Sequence, residues 1–297
     1  MNRREFTHRT LVTAAALLLP KLARAGQPVT AVVDTHAHVF RRDLPMVAGR
    51  RYTPDYDVSA EDYLRQLDTN GVARGVLVQP SFLGTDNHYL LAALRSHPQR
   101  LRGVAVVEPA ASAAFLEELA AAGVVGLRLN LVGQPIPDFS AAPWPGLLQR
   151  VARLGWHVEV HREAKDLPVI LTPLLGAGVS VVVDHFGRPD PQLGTDDPGF
   201  RGLLAAAASR RVWVKLSGAY RNGADGRGAA IARAALPLLR AAFGPERLVW
   251  ASDWPHTQFE KVETYAAVCA ERDLWFTDAA ERTAILGTTP AKLFHFT

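Results

Sequence analysis

The sequence predicts an α/β protein built as a single-domain (β/α)8 TIM barrel, and three observations point to it. Eight short β-like runs alternate with helix-like stretches along the chain. The runs are apolar throughout rather than alternating, as expected of parallel strands buried on both faces. Most of them end in polar or ionisable residues, and in such a barrel the strand ends converge on one mouth from distant parts of the chain. Eight β–α units within residues 26–297 also suit a fold of typically ~250 residues. A doubly wound open sheet is the competing architecture.

The first run, AVVDTHAH (31–38), is a strand that aims two imidazoles at one place: side chains alternate, so Asp34, His36 and His38 share a face. The second, RGVLVQP (74–80), leads into Ser81. The third is RGVAVVEP (102–109). The fourth, VVGLRLN (124–130), ends in Arg128 and Asn130, and the fifth, HVEVH (157–161), in His161. The sixth, VSVVVDH (179–185), delivers Asp184 and His185, the seventh, VWVKLSG (212–218), Lys215 and Ser217, and the eighth, LVWASDW (248–254), Asp253. Between them SAEDYLRQLDTNG (59–71) reads as a helix capped by Ser59 with Asp62 three residues on, and AAFLEELAAAG (113–123) as one that stops at Gly123. The segment from Phe40 to Tyr56 and the turn-rich stretches TDNH, GQPIPD and GRPDPQLGTDDPG form the rim of the mouth. The single cysteine, Cys269, lies in the helix-like VETYAAVCAERD and reads as a buried structural thiol.

Of the 297 residues, 48% are hydrophobic, which describes a soluble globular protein with a sizeable core. The formal charge of +4 resides in the first 25 residues, where Arg3, Arg4, Arg9, Lys21 and Arg24 face Glu5. The remainder is balanced, so charge gives no argument for a nucleic-acid partner. The leader combines this basic start with an apolar run from Leu11 to Leu19 and an Ala23-Arg24-Ala25 ending before Gly26. The run is too short to span a bilayer and matches a removable export signal. Arg3-Arg4 followed by Phe6 resembles a twin-arginine signal, which places the folded barrel in the periplasm with no membrane attachment once the leader is removed.

A ring of ionisable groups at one barrel end is costly unless the groups are paired or used. Two kinds of chemistry suit the set. His36, His38, His161 and Asp253 can hold a divalent metal, zinc first among the candidates. Alternatively, without metal, the histidines donate hydrogen bonds to a carbonyl while Asp253 takes a proton from water.

The early HAH, the DHFGRPD of residues 184–190 and the ASDWPHT of residues 251–257 resemble the amidohydrolase superfamily, and VQPSFLGTDNHYLL (78–91), GLRLNLVG (126–133), KLSGAYR (215–221) and ILGTTPAKLF (285–294) resemble its 2-pyrone-4,6-dicarboxylate lactonase branch. The similarity runs from about residue 30 to the C-terminus. It implies a barrel hydrolase acting on a carboxylated or sugar-derived lactone, with no required cofactor or with one divalent metal. By that resemblance Asp253 is the general base, and His36, His38 and His185 polarise the lactone carbonyl. Tyr52, Ser81, Arg128, Asn130, His161 and Arg221 bind the substrate, arginine being apt because its planar fork accepts a carboxylate in two hydrogen bonds. Two departures stand out: Gln134 occupies the region of a further arginine, and His161 stands where the branch has a tyrosine-like contact. The alternatives are a metal-dependent decarboxylase or C–C hydrolase of the same superfamily, and a periplasmic binding protein that kept the barrel without the chemistry.

Overall fold

The computed structural model describes residues 31–296; the export leader expected over residues 1–25 lies outside them. Each of the eight apolar runs forms a strand: β1 (Val33–Ala37), β2 (Arg74–Val78), β3 (Leu101–Ala105), β4 (Val124–Asn130), β5 (His157–His161), β6 (Ser180–Val183), β7 (Val212–Leu216) and β8 (Leu248–Trp250). They pair in parallel in chain order within one sheet. The chain just past β8 then meets β1: Asp253 N–H donates to the His36 carbonyl (2.9 Å) and His38 N–H to that of Trp254 (2.8 Å). That contact makes a barrel and not an open sheet, and it sets the two histidines and the aspartate side by side.

The helices α1 (Ala60–Thr69), α2 (His88–Ser96), α3 (Ala113–Ala121), α4 (Trp144–Arg153), α5 (Leu167–Gly176), α6 (Pro198–Ala206), α7 (Arg227–Phe243) and α8 (Tyr265–Trp275) follow the strands. Helix α1 starts with the expected capping box, in which Asp62 N–H donates to Ser59 Oγ (3.0 Å) and Ser59 N–H to Asp62 Oδ2 (2.9 Å). Gly123, at φ +101°, turns the chain back after α3. Cys269 is buried on α8. No helix among the described residues is long and apolar enough to cross a membrane.

The barrel interior is layered. Its floor is apolar, with Val33, Val76, Val78, Val104, Val125 and Val249 packed on Phe294 and Phe296 from the C-terminal segment. Above lie Glu159, Asp184, Lys215 and Arg128, all buried, and then the histidines and Asp253. Alternation along β5 puts His157, Glu159 and His161 on one face in ascending order. Strand β1 departs from the expected alternation: its register with β2 shifts between Asp34 and Ala37. As a result Asp34 does not share the face of His36 and His38. Its carboxylate accepts from Ser252 N–H (2.8 Å), Ser252 Oγ (2.5 Å) and the Tyr265 hydroxyl of α8 (3.1 Å), so it ties β1 to the chain after β8 and to the helix layer.

Candidate active site

His36 and His38 end β1 and meet edge to face, with His36 Nε2 3.3 Å from His38 Nε2. Asp253 approaches from the segment after β8, its Oδ1 3.9 Å from His36 Nε2. His185, following β6, packs against both His36 and His161, with ring centroids 5.1 Å and 4.9 Å away, and its Nδ1 lies 3.0 Å from Ser217 Oγ. All of these side chains are buried. Their backbone is unusual where it turns into the site. Asp253 (φ +61°) and His185 (φ +51°) both adopt the left-handed region that non-glycine residues avoid, at a cost on the order of 1–3 kcal/mol each. Gly218 (φ +55°) completes the packing: a Cβ there would sit 2.9 Å from His185 Nδ1 and 3.1 Å from Asp253 Oδ2.

The electrostatics sort these groups. Burial alone would raise Asp253, but the Arg221 guanidinium holds its carboxyl well below the usual range, so it is a carboxylate at neutral pH. Oδ2 accepts from Arg221 Nε and from the Tyr220 hydroxyl (2.7 Å), while Oδ1 accepts no hydrogen bond from the described residues. Burial keeps His185 neutral, taking it down to about 3. It does the same to His38, where His36 adds to the effect, and to His161, where His185 adds to it; both lie well below an ordinary imidazole. His36 goes the other way: burial and Lys215 oppose its protonation, yet Asp184 and Glu159 leave it more basic than usual.

The remaining expected site residues have their own neighbours. Arg128 is buried; it donates to the Gln79 carbonyl (3.2 Å), and its Nη2 lies 3.5 Å from Asp184 Oδ2. Arg221 and Tyr52 are joined through Thr257, whose carbonyl lies 3.4 Å from Arg221 Nη2 and whose hydroxyl lies 3.1 Å from the Tyr52 hydroxyl. Ser81 opens a short turn after β2, and Asn130 Oδ1 faces Arg51 Nη2 at 3.5 Å. His161 Nε2 meets Arg188 Nη1 at 3.2 Å.

Sequence reasoning passed over Glu159, Arg188 and Tyr220. Glu159 was visible as an acid inside the otherwise buried run HVEVH, on the same face as His161. Arg188 and Tyr220 stand within DHFGRPD and KLSGAYR, whose neighbours alone were singled out.

The donor set suits a divalent ion. His36 Nε2, His38 Nε2 and Asp253 Oδ1 are imidazole and carboxylate ligands gathered close together, and Asp253 Oδ1 is an orphaned buried oxygen. A second such group is His36, Asp184 and His185; His161 joins neither.

A barrel whose strand ends gather histidines around an ionised aspartate defines a (β/α)8 enzyme with a candidate reaction centre at the C-terminal mouth. The chain belongs to the amidohydrolase family, whose model, described as Amidohydrolase, matches residues 33–296. It is 37% identical over 237 residues to a 2-pyrone-4,6-dicarboxylate hydrolase of Comamonas testosteroni, covering 75% of this chain and 76% of that one. A crystal structure from Pseudomonas putida, provisionally assigned as a 2-pyrone-4,6-dicarboxylic acid hydrolase, superposes with a TM-score of 0.85 at 47% identity, over 91% of this chain and 99% of that one. Another from Acinetobacter baumannii, with the same provisional assignment and citric acid bound, superposes with a TM-score of 0.87 at 39% identity, over 89% and 99%.

Proposed function

We propose that this protein is a lactonase that opens a carboxylated lactone by attack of water activated by Asp253. The observation that carries the reading is a buried carboxylate, kept ionised by Arg221, beside three buried imidazoles. A substrate carboxylate that takes the fork of Arg221 leaves Asp253 Oδ2 with the Tyr220 hydroxyl and makes the carboxylate a stronger base. Asp253 then accepts a proton from water as the water oxygen bonds to the lactone carbonyl carbon, and the surrounding imidazoles stabilise the oxyanion. On collapse the ring C–O bond breaks, and the departing oxygen takes the proton back from Asp253. The product carries one more carboxylate than the lactone. Arg188 and Arg51, beside His161 and Asn130, offer positive charge at a mouth where Gln134 brings none, and the citric acid in the Acinetobacter relative is in keeping with a carboxylate-binding mouth.

Our reading is that no cofactor is required. A divalent ion, zinc first, would be held by His36, His38 and Asp253 and would supply Lewis-acid polarisation of the carbonyl. That donor group is also what favours the second reading, a metal-dependent decarboxylase or C–C hydrolase, whose activity chelation would abolish. The leader supports twin-arginine export to the periplasm.

The test is loss of pyrone ultraviolet absorbance from 2-pyrone-4,6-dicarboxylate, with and without chelator, in fractions from cells making the full chain. Activity in the periplasmic fraction that survives chelation is expected, and Arg3→Lys with Arg4→Lys should leave it in the cytoplasm. Asp253→Asn should lower kcat by about 10²–10⁴ with an unchanged circular dichroism spectrum. Wild-type turnover in that variant would sink the mechanism. Turnover of monocarboxylated or sugar lactones alone would move the substrate class.

A further inference from the structure

The inner charges of the barrel are spent on one another, and those at its rim are not. Histidines aside, Arg128, Lys215 and Arg221 face Glu159, Asp184 and Asp253, three against three. Two further guanidiniums have no such match. Arg51, in the loop between β1 and α1, pairs with no carboxylate among the described residues, and its Nη2 meets Asn130 Oδ1 at 3.5 Å. Arg188, in the turn after β6, meets the His161 ring at 3.2 Å. Its acid neighbour Glu163 lies 4.0 Å away and is closer to Arg162, at 3.4 Å. Asn130 and His161 are register partners on β4 and β5, so the two guanidiniums stand over neighbouring strand ends. Along β4, Arg128 and Asn130 share a face with Asn130 nearer the mouth, which sets Arg51 above Arg128. Partial burial lowers the guanidinium of Arg51, with Arg128 and Arg221 adding to it, and burial lowers Arg188, with Arg221 and Arg51 adding to it. Like charges crowd one mouth.

We propose that Arg51 is a specificity-determining residue: with Arg188 beside it, it takes a second anionic group on the substrate, and so favours lactones carrying two such groups over lactones carrying one. The identity of the ring, a lactone, rests on the functional reading above; the demand for a second anion does not. In that reading Arg221 takes one carboxylate deep in the mouth. Arg128 has little charge to spare for another, since Asp184 and Glu159 lie 3.5 Å and 3.8 Å from it. The stretch after β4, residues 130–137, carries no cation. An anion over the ends of β4 and β5 therefore finds its countercharge in Arg51, which reaches in from the β1 side of the barrel, and in Arg188. The two clamps share one frame. Tyr52, the next residue, is tied through its hydroxyl to Thr257 Oγ1 (3.1 Å), and the Thr257 carbonyl faces Arg221 Nη2 (3.4 Å). A group that engages both rim guanidiniums gains charge-assisted hydrogen bonds and relieves their mutual repulsion. A lactone without it leaves both cations unmatched, so the mouth discriminates by cost as well as by gain.

Benzene-1,3-dicarboxylate and benzoate, flat rings with two carboxylates and one, read the second group without any chemistry. By calorimetry the wild-type protein should bind the dicarboxylate about 10–100-fold tighter than benzoate, the range of a hydrogen bond to a charged group. Arg51→Met should lose most of that ratio. The substitution breaks no ion pair, so the circular dichroism spectrum should match wild type. A ratio near one in the wild type, or one that survives in the variant, overturns the role of Arg51. Turnover is assayed separately, as kcat/KM for 2-pyrone-4,6-dicarboxylate over that for 2-pyrone-6-carboxylate. In Arg51→Met this quotient should fall by a similar factor, carried by KM, because binding to the distal group is felt equally before and during ring opening. An unchanged quotient refutes the assignment. A wild-type protein that shows the binding preference but opens neither lactone contradicts the functional reading and leaves Arg51 standing as an anion clamp.

Discussion

Arg221 is tied to Asp253, the base of the proposed reaction. Its guanidinium pairs with Asp253 Oδ2 deep in the mouth, and the pairing favours the carboxylate over the acid form. Removing the positive charge must raise the basicity of Asp253, because burial then acts with less opposition. In Arg221→Met the acid limb of the kcat/KM profile should therefore move to higher pH, since activity requires the ionised base. The KM for a carboxylated lactone should also rise about 10–100-fold, as expected for losing a charged hydrogen bond of about 1.5–3 kcal/mol. A pH–rate series on wild type and variant checks both. An acid limb that stays in place would show that Arg221 does not govern Asp253.

At the scale of elements, α7 holds the turn that presents Tyr220 and Arg221. Gly228, in its first turn, lies so close to that segment that a Cβ would sit 2.2 Å from the Ala219 carbonyl oxygen and 3.0 Å from that of Gly223. Backbone atoms cannot give way cheaply, so Gly228→Ala should cost about 1–3 kcal/mol and displace the turn. A lower urea midpoint together with a raised KM is expected; a lower midpoint with unchanged KM would separate the helix contact from the site. The strands were legible in the sequence because buried parallel strands need continuous apolar runs. His36, His38, His185 and Asp253 were legible because ionisable groups ending such runs have no cheap structural reason to be there. What escaped is nonlocal or conformational. No local pattern tells that Lys215 on β7 meets Glu159 on β5, or that a register shift turns Asp34 away from His36. Nor does sequence announce that Asp253 and His185 sit at positive φ, since glycine is the usual mark of that region and here it is absent.

Residues 31–296 stack an apolar floor, a charged middle and a rim of histidines with Asp253 inside one barrel, and the floor makes stability depend on pH. The C-terminal segment plugs the bottom with Phe294 and Phe296, over which the Arg74 and Arg102 guanidiniums lie, 5.4 Å and 4.9 Å from the Phe296 ring. His157 packs edge-on to Phe294, with its ring over Gly126, and neither of its ring nitrogens has a partner among the described residues. Burial takes it down to about 4 from the ordinary 6.5. Between those values the unfolded chain binds a proton that the native state refuses, so stability falls as the pH falls from 6.5 towards 4, by at most about 1.4 kcal/mol per pH unit for this group. Below about 4 both states are protonated and the contribution to the slope ends. His256, also near 4, and His185, near 3, act in the same direction. Their depressed values make His157 one contributor among several to acid sensitivity. It differs from them in lying at the floor, far from the reacting groups, so it can be changed without touching the chemistry. His157→Phe keeps a ring against Phe294 and leaves no polar atom unpaired, which makes it near neutral in stability at pH 7.5. Urea unfolding of wild type and variant from pH 7.5 to 4.5 should then show the variant losing stability less steeply, with ring-opening activity at neutral pH intact. Parallel slopes would mean that the floor opens to water before the histidine is charged.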